Sequence, residues 1–242
     1  MSLSKQVILI TGAGGGLGSA AALALAQQGA EIILLDKSIP KLEQSYDAIV
    51  AAGGPEPMLY PFDLAGANED EYLELAAAVQ QRYGSLQGLL HSAVEFSSYT
   101  PLAIHKTQDW GHTLNVNLNA AFLLTRVLLP VLQNSDHAAI VFTSDSAARQ
   151  AKAYLGAYGV SKIALEALAG ILADELEAGG KIRVNTLVPG PVNSPLRKKS
   201  YPGEDKAALP TPDSLAAVYR YLFGAASLGV TGQIIDAKTF EI

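Results

Sequence analysis

Val7-Ile8-Leu9-Ile10 is apolar at every position, so a strand formed there must be covered on both faces. Glu31 to Leu35, Pro57 to Phe62, Leu86 to Ser92, Ala139 to Thr143 and Ile182 to Val188 read as further strands, and Gln233 to Asp236 as a last short one. Stretches of helical period alternate with them: Ser19 to Gln28, closed by Gly29; Pro40 to Ala52, closed by Gly53-Gly54; Glu69 to Arg82; Gln108 to Gln133; Tyr154 to Ala178; and Asp213 to Phe223. Strand and helix repeated in this way predict an α/β fold, with 1–242 as a single domain built on one doubly wound, Rossmann-like parallel sheet with helices on both faces. Chemistry is then expected just past the carboxyl ends of the strands. Gly190 to Pro212, the longest stretch without clear periodicity, holds five prolines and is a candidate substrate lid.

Composition narrows the partner. The net charge is −6 and the longest basic run is Arg197-Lys198-Lys199, which argues against nucleic acid or an anionic membrane and for a small molecule. With no cysteine, disulfides and thiolate chemistry are impossible. The histidines His91, His105, His112 and His137 show no metal-ligand spacing and read as surface or loop residues, so no metal is expected. Met1 to Gln6 run straight into the first strand without a leader pattern, and no unbroken apolar run spans a bilayer. A soluble, cytoplasmic protein is expected.

Thr11-Gly12-Ala13-Gly14-Gly15-Gly16-Leu17-Gly18 falls on the first strand-to-helix turn, where helix N-terminal amides can meet the pyrophosphate of a dinucleotide. The turn lacks the Gly-Lys-Ser/Thr of a nucleoside triphosphate loop. Asp36 ends the second strand, where a carboxylate can accept the ribose hydroxyls of an adenosine and repel a 2′-phosphate. NAD is therefore expected, and Lys37 next to it keeps NADP open. Asp63, with Leu64 after the third strand, is a candidate for the adenine edge, and Asp63 reads nearly as well as a turn cap.

Tyr158 and Lys162 are four residues apart, on one face of the predicted helix. An ammonium beside a phenol favours the phenolate, which suits acid–base work.

The glycine turn, Asp36, the Tyr158/Lys162 pair and Asn185-Thr-Leu-Val-Pro-Gly190-Pro-Val-Asn-Ser194 together resemble the short-chain dehydrogenase/reductase family over essentially the whole chain. Within it, Val141 to Gln150 and Gly156 to Lys162 look most like the small bacterial YciK-type oxidoreductases. The resemblance implies that Tyr158 gives or takes the proton on the substrate oxygen, that Lys162 holds the nicotinamide ribose, and that Asn117 anchors a water in the proton relay. It also implies that Pro189, Gly190, Val192 and Ser194 hold the nicotinamide carboxamide, and that Ser92 and Ala93 flank the cofactor. A homodimer or homotetramer is implied through the two long helical regions.

Two departures stand out. Where the family has Asn-Asn-Ala-Gly this chain has His91-Ser92-Ala93-Val94, and where it has its substrate-orienting serine this chain has Asp145, between Ser144 and Ser146. An ionised carboxylate cannot donate a hydrogen bond. Three repairs are open: a neighbouring serine takes over, Asp145 is protonated, or the substrate carries a cation. The serine shift ranks first because it needs only a local backbone change. The expected function is an oxidoreductase acting on a small alcohol or carbonyl. The alternatives are a weakly active or inactive NAD(P)-binding sensor or partner protein of the same fold, and an epimerase or dehydratase that retains its cofactor.

Overall fold

The computed structural model describes residues 2–241; Met1 and Ile242, at the ends of the expected domain, lie outside the described residues. Parallel strands β1 (Val7–Thr11), β2 (Glu31–Asp36), β3 (Met58–Pro61), β4 (Gly88–His91), β5 (Ala138–Thr143), β6 (Ile182–Val188) and β7 (Ile234–Asp236) form a seven-stranded sheet in the order β3-β2-β1-β4-β5-β6-β7. The helices are α1 (Gly16–Ala26), α2 (Ile39–Ala51), α3 (Glu69–Tyr83), α4 (Thr107–Leu114), α5 (Ala120–Gln133), α6 (Ser146–Arg149), α7 (Gly156–Glu177), α8 (Pro195–Ser200) and α9 (Ala216–Phe223).

Alternate residues of each strand serve opposite faces, which is why the strands are apolar throughout. Leu9, Ile33, Leu89, Ile140 and Val184 pack with α3, α5 and α7. Ile8, Ile10, Ile32, Leu90 and Val141 pack with α1, α2 and α9. Strand order reverses between β1 and β4, where Thr11 lies beside His91. The ends of β1, β4 and β5 therefore open on one crevice, the position such sheets use for ligands.

The expected helices differ from the observed ones in two informative places. The region 108–133 is not one regular helix: a π-helical turn at Asn115–Asn119 separates α4 from α5, a feature that re-aims side chains. Helix α7 starts at Gly156 rather than Tyr154, because Tyr154 adopts a left-handed φ of +72°. Thr107–Gln133 and Gly156–Glu177 are long and apolar enough to cross a membrane by length and composition, although neither holds an unbroken apolar run. Here each buries one face against the sheet.

Candidate active site

The glycine turn joins β1 to α1 and forms one wall of a cavity of about 550 Å³. Gly12 has φ +65°, and a Cβ built there would lie 2.7 Å from Ala93 Cα; one on Gly18 would lie 2.2 Å from the Gly12 carbonyl oxygen. Glycine is required at both positions because the turn is folded against itself and against the end of β4. Thr11 fixes that contact: its Oγ1 accepts hydrogen bonds from the Ser92 and Ala93 amides, each at 3.1 Å. Gly12, Gly16, Leu17 and Gly18 line the cavity, with Ser92 facing them. Ser92 Oγ is buried without a partner, and a buried hydroxyl left open beside a glycine cradle fits the polar ligand that the turn predicts. Thr11, Gly14 and Ala93 shape the wall from behind and do not line it.

Asp36 stands at the end of β2, as expected. Its Oδ2 accepts from the Gly14 amide at 3.2 Å and its Oδ1 from the Ser38 amide at 3.0 Å. The carboxylate is thus anchored to the glycine turn while lone pairs remain for further donors. Asp63 uses its own Oδ1 to accept from the Ala65 amide at 3.1 Å, the turn cap that its sequence also suggests. Leu64 packs partly buried beside the core of the α3 face. Asp36, Lys37, Asp63 and Leu64 do not line the 550 Å³ cavity.

At the other end of the cavity Tyr158 and Lys162 project from α7, both buried. Tyr158 donates its phenolic hydrogen to Asp145 Oδ2 at 2.6 Å, and Lys162 Nζ donates to the Thr143 carbonyl at 2.8 Å. Asp145 caps α6, its Oδ1 accepting from the Ala147 amide at 2.7 Å. Burial, then the charge and hydrogen bond of Asp145, push the Tyr158 phenol well above its ordinary range. Burial brings the Lys162 ammonium down to about 8, with Asp145 opposing the shift.

Neither Ser144 nor Ser146 hydrogen-bonds the Tyr158 phenol, which meets Asp145. Ser144 donates its hydroxyl to Glu166 Oε1 at 2.5 Å, and Glu166 is held from outside by Arg149 Nε at 3.2 Å. Ser146 begins α6 at the cavity wall. It is the carboxylate of Asp145 that meets the phenol. The cause is local: α6, a single turn too short to show helical period in the sequence, needs a cap, and its N-cap residue is Asp145.

Asn117 lies in the π turn, one layer behind the cavity. Its Oδ1 accepts from the Glu95 amide at 2.7 Å, and its Nδ2 donates to the Glu95 carbonyl and to Ser161 Oγ, each at 2.9 Å. His91 is a buried strand residue and not the surface residue expected: its Nε2 pairs with Thr125 Oγ1 at 2.8 Å and its ring stacks on Phe142. Burial and the nearby Lys162 charge hold its pKa at about 3. Pro189, Gly190, Val192 and Ser194 line the cavity, and Ser194 Oγ caps α8 by accepting from the Arg197 amide at 3.2 Å.

Beside the phenol stands an aromatic wall that the sequence does not announce. Phe96 meets Tyr158 edge-on at 5.3 Å between ring centroids, Tyr99 meets Phe96 at 5.1 Å, and Tyr201 meets Tyr99 at 5.6 Å. Phe96, Tyr99 and Tyr201 come from segments without periodicity, and only their aromatic character marks them.

A family model described as short chain dehydrogenase matches residues 6–205. The uncharacterized oxidoreductase YciK of Escherichia coli K12 is 37% identical over 98% of this chain and 93% of its own length. A Pseudomonas syringae structure assigned to the short chain dehydrogenases superposes with a TM-score of 0.95, at 43% identity over 97% of this chain and 95% of that one. A short chain dehydrogenase of Escherichia coli CFT073, solved with NADPH, superposes with a TM-score of 0.94, at 37% identity over 98% of both chains.

Proposed function

The chain belongs to the short-chain dehydrogenase family, and from that membership we propose that it interconverts a small alcohol and its carbonyl compound with a nicotinamide dinucleotide. The observation that carries the reading is the buried phenol of Tyr158 on the cavity wall, one helical turn from the buried ammonium of Lys162. A bound nicotinamide supplies the hydride donor or acceptor. Gly12, Gly16, Leu17, Gly18 and Ser92 would hold the dinucleotide with Pro189, Gly190, Val192 and Ser194. Tyr158 handles the proton on the substrate oxygen, and Lys162 offers its ammonium to a ribose. Asn117 steadies the wall by clamping Glu95, and a water held there would extend the relay.

The test is direct binding of NADH and NADPH run beside a screen of alcohols and carbonyls in both directions. Turnover of a member of either class is expected. Tight binding with no turnover anywhere in the screen would instead support a nucleotide-binding sensor or partner protein.

For the cofactor, Asp36 supports NAD: its anchored carboxylate has acceptors left for ribose hydroxyls and would repel a 2′-phosphate. NADP is the second reading, favoured by the relative solved with NADPH and by Lys37. Asp36→Ala is expected to weaken NADH binding about tenfold and to leave NADPH unchanged or tighter, the loss of one charge-assisted contact being worth roughly 1.5 kcal/mol. Wild-type protein that prefers NADPH would overturn the assignment to NAD.

Residues 190–212 act in this reading as a substrate lid. Helix α8 carries Arg197, whose guanidinium holds Glu204 through two contacts of 2.6 Å and lies 3.6 Å over the Tyr201 ring. Lys199 reaches the Phe96 carbonyl across the cavity. A homodimer or homotetramer is supported by Phe122 on α5 and Val160, Ile163 and Ile171 on α7, large apolar side chains that remain exposed. That neither nucleic acid nor a membrane is the partner rests on the acidic balance of charge, and a cytoplasmic location fits a chain free of cysteine.

A further inference from the structure

We propose that Asp145 and Tyr158 form a two-step proton relay, in which the phenol receives the proton of a substrate alcohol while passing its own to the carboxylate. The geometry carries this. The phenolic hydrogen points at Asp145 Oδ2 over 2.6 Å, so the oxygen turns its lone pairs, and not its proton, toward the cavity. The carboxylate cannot swing away, because its Oδ1 caps α6. Of the neighbouring hydroxyls, Ser144 is committed to Glu166, and Ser146 begins α6 at the cavity wall.

The inference rests on the alcohol–carbonyl reading above and assigns the site a pH sense within it. In oxidation the alcohol O–H bond breaks and its proton goes to Tyr158 Oη. The Tyr158 Oη–H bond breaks and that proton goes to Asp145 Oδ2, which becomes a neutral carboxylic acid. The electron pair of the carbinol C–H bond leaves for an oxidised nicotinamide dinucleotide, and the carbonyl forms. Reduction retraces these steps and needs Asp145 protonated at the start. Oxidation therefore needs the carboxylate charged and reduction needs it neutral, so the two directions respond to pH in opposite senses. The other groups facing the pair are Lys162 from α7, Tyr99 from the segment after β4, and Tyr201 from the residue after α8.

Two measurements test the relay. Alkaline ultraviolet titration of the ligand-free protein, wild type minus Tyr158→Phe, isolates the phenol of Tyr158. It is expected to ionise well above the exposed tyrosines and to move to lower pH in Asp145→Asn. An unmoved phenol in Asp145→Asn overturns the pair even if the protein turns substrate over. The second measurement follows cyclohexanol oxidation and cyclohexanone reduction against pH with both dinucleotides. Opposite pH limbs in the two directions are expected, with both limbs lost in Asp145→Asn and the oxidation rate at neutral pH down about 100-fold. Limbs that persist in Asp145→Asn overturn the relay. Failure of wild type on these probes, and on the wider alcohol and carbonyl screen, with the phenol shift intact, strikes the alcohol–carbonyl reading on which the relay depends, and the relay falls with it while the pair stands.

Discussion

At the β1–α1 turn the cavity wall is backbone: Gly12, Gly16 and Gly18 leave room for a ligand, and what holds them is amide geometry and the Thr11 hydroxyl. At the β5–α7 end the wall is side chain, with Asp145, Tyr158 and Lys162 buried or half-buried in a hydrogen-bond network that fixes each donor. The first end needs shape and tolerates no Cβ. The second needs particular protons in particular places, so its chemistry can be altered without changing its shape. Substitutions that separate shape from protonation are the way to break the contrast.

The largest effect is expected from Tyr158→Phe, which keeps the ring against Phe96 and removes only the hydroxyl. Turnover should fall by about 10³, the scale of lost acid–base catalysis, with the dissociation constant of the nicotinamide dinucleotide within a factor of two. Steady-state kinetics and a binding titration on the same preparation check both halves. Retained turnover would show that another group moves the proton.

Gly18→Ala probes the opposite end and should produce the opposite split. The added Cβ would sit 2.2 Å from the Gly12 carbonyl oxygen, so the turn must shift, and a displacement on the order of 1 Å in a binding turn costs roughly 100-fold. The loss should appear in cofactor affinity, read by calorimetry. Unchanged affinity would mean that the turn does not hold the dinucleotide.

The two ends also differ in how far the sequence reveals them. Glycine spacing reports backbone requirements within one turn, so Gly12, Gly16 and Gly18 can be assigned from the residues alone. The sheet is legible for the same reason: unbroken apolar strands such as Val7 to Ile10 leave no other way to cover both faces. Hydrogen-bond choices at the β5 end are not local. Ser144 finds Glu166 22 positions away, and nothing in Ser144-Asp145-Ser146 indicates which of the three will face the phenol until α6 claims a cap. His91 hides among four histidines that look alike without ligand spacing, whereas it alone of them falls inside β4 and pairs with Thr125 on α5. The π turn at Asn115–Asn119 is equally silent in the sequence, since Asn115, Asn117 and Asn119 fit a regular helix as well.

Lys162 sharpens the comparison through pH. Burial gives its ammonium a pKa of about 8 in the folded chain against an ordinary 10.5. Between those values the unfolded chain keeps a proton that the folded chain has released, so stability rises with pH. The penalty of burying the charge is complete below about pH 8. Between about pH 8 and about pH 10 the ligand-free protein should gain roughly 2 kcal/mol from this group, and Lys162→Met should remove the rise. Above that range Tyr158 works in the other direction, because its raised pKa makes the folded chain hold a proton that the unfolded chain gives up. Urea denaturation of wild type and variant across the window measures the slope; parallel curves for the two proteins would mean that Lys162 is not the group responsible.

The smallest effect is expected where the family pattern, with a serine beside the tyrosine, would lead one to look for a large one. Ser144→Ala removes a buried hydroxyl whose hydrogen bond runs to Glu166 and away from Tyr158. Glu166 keeps Arg149 as a partner at 3.2 Å, so the carboxylate is not left bare. The loss should be about 2 kcal/mol of stability, the scale of a hydrogen bond to a charged group, with kcat changed no more than about threefold. Thermal unfolding and kinetics on one preparation distinguish the outcomes. A kcat loss near that of Tyr158→Phe, with stability intact, would place the Ser144 hydroxyl on the substrate during turnover. The reaction end would then have to rearrange during turnover, and the contrast between a wall fixed by shape and a wall fixed by hydrogen bonds would not survive it.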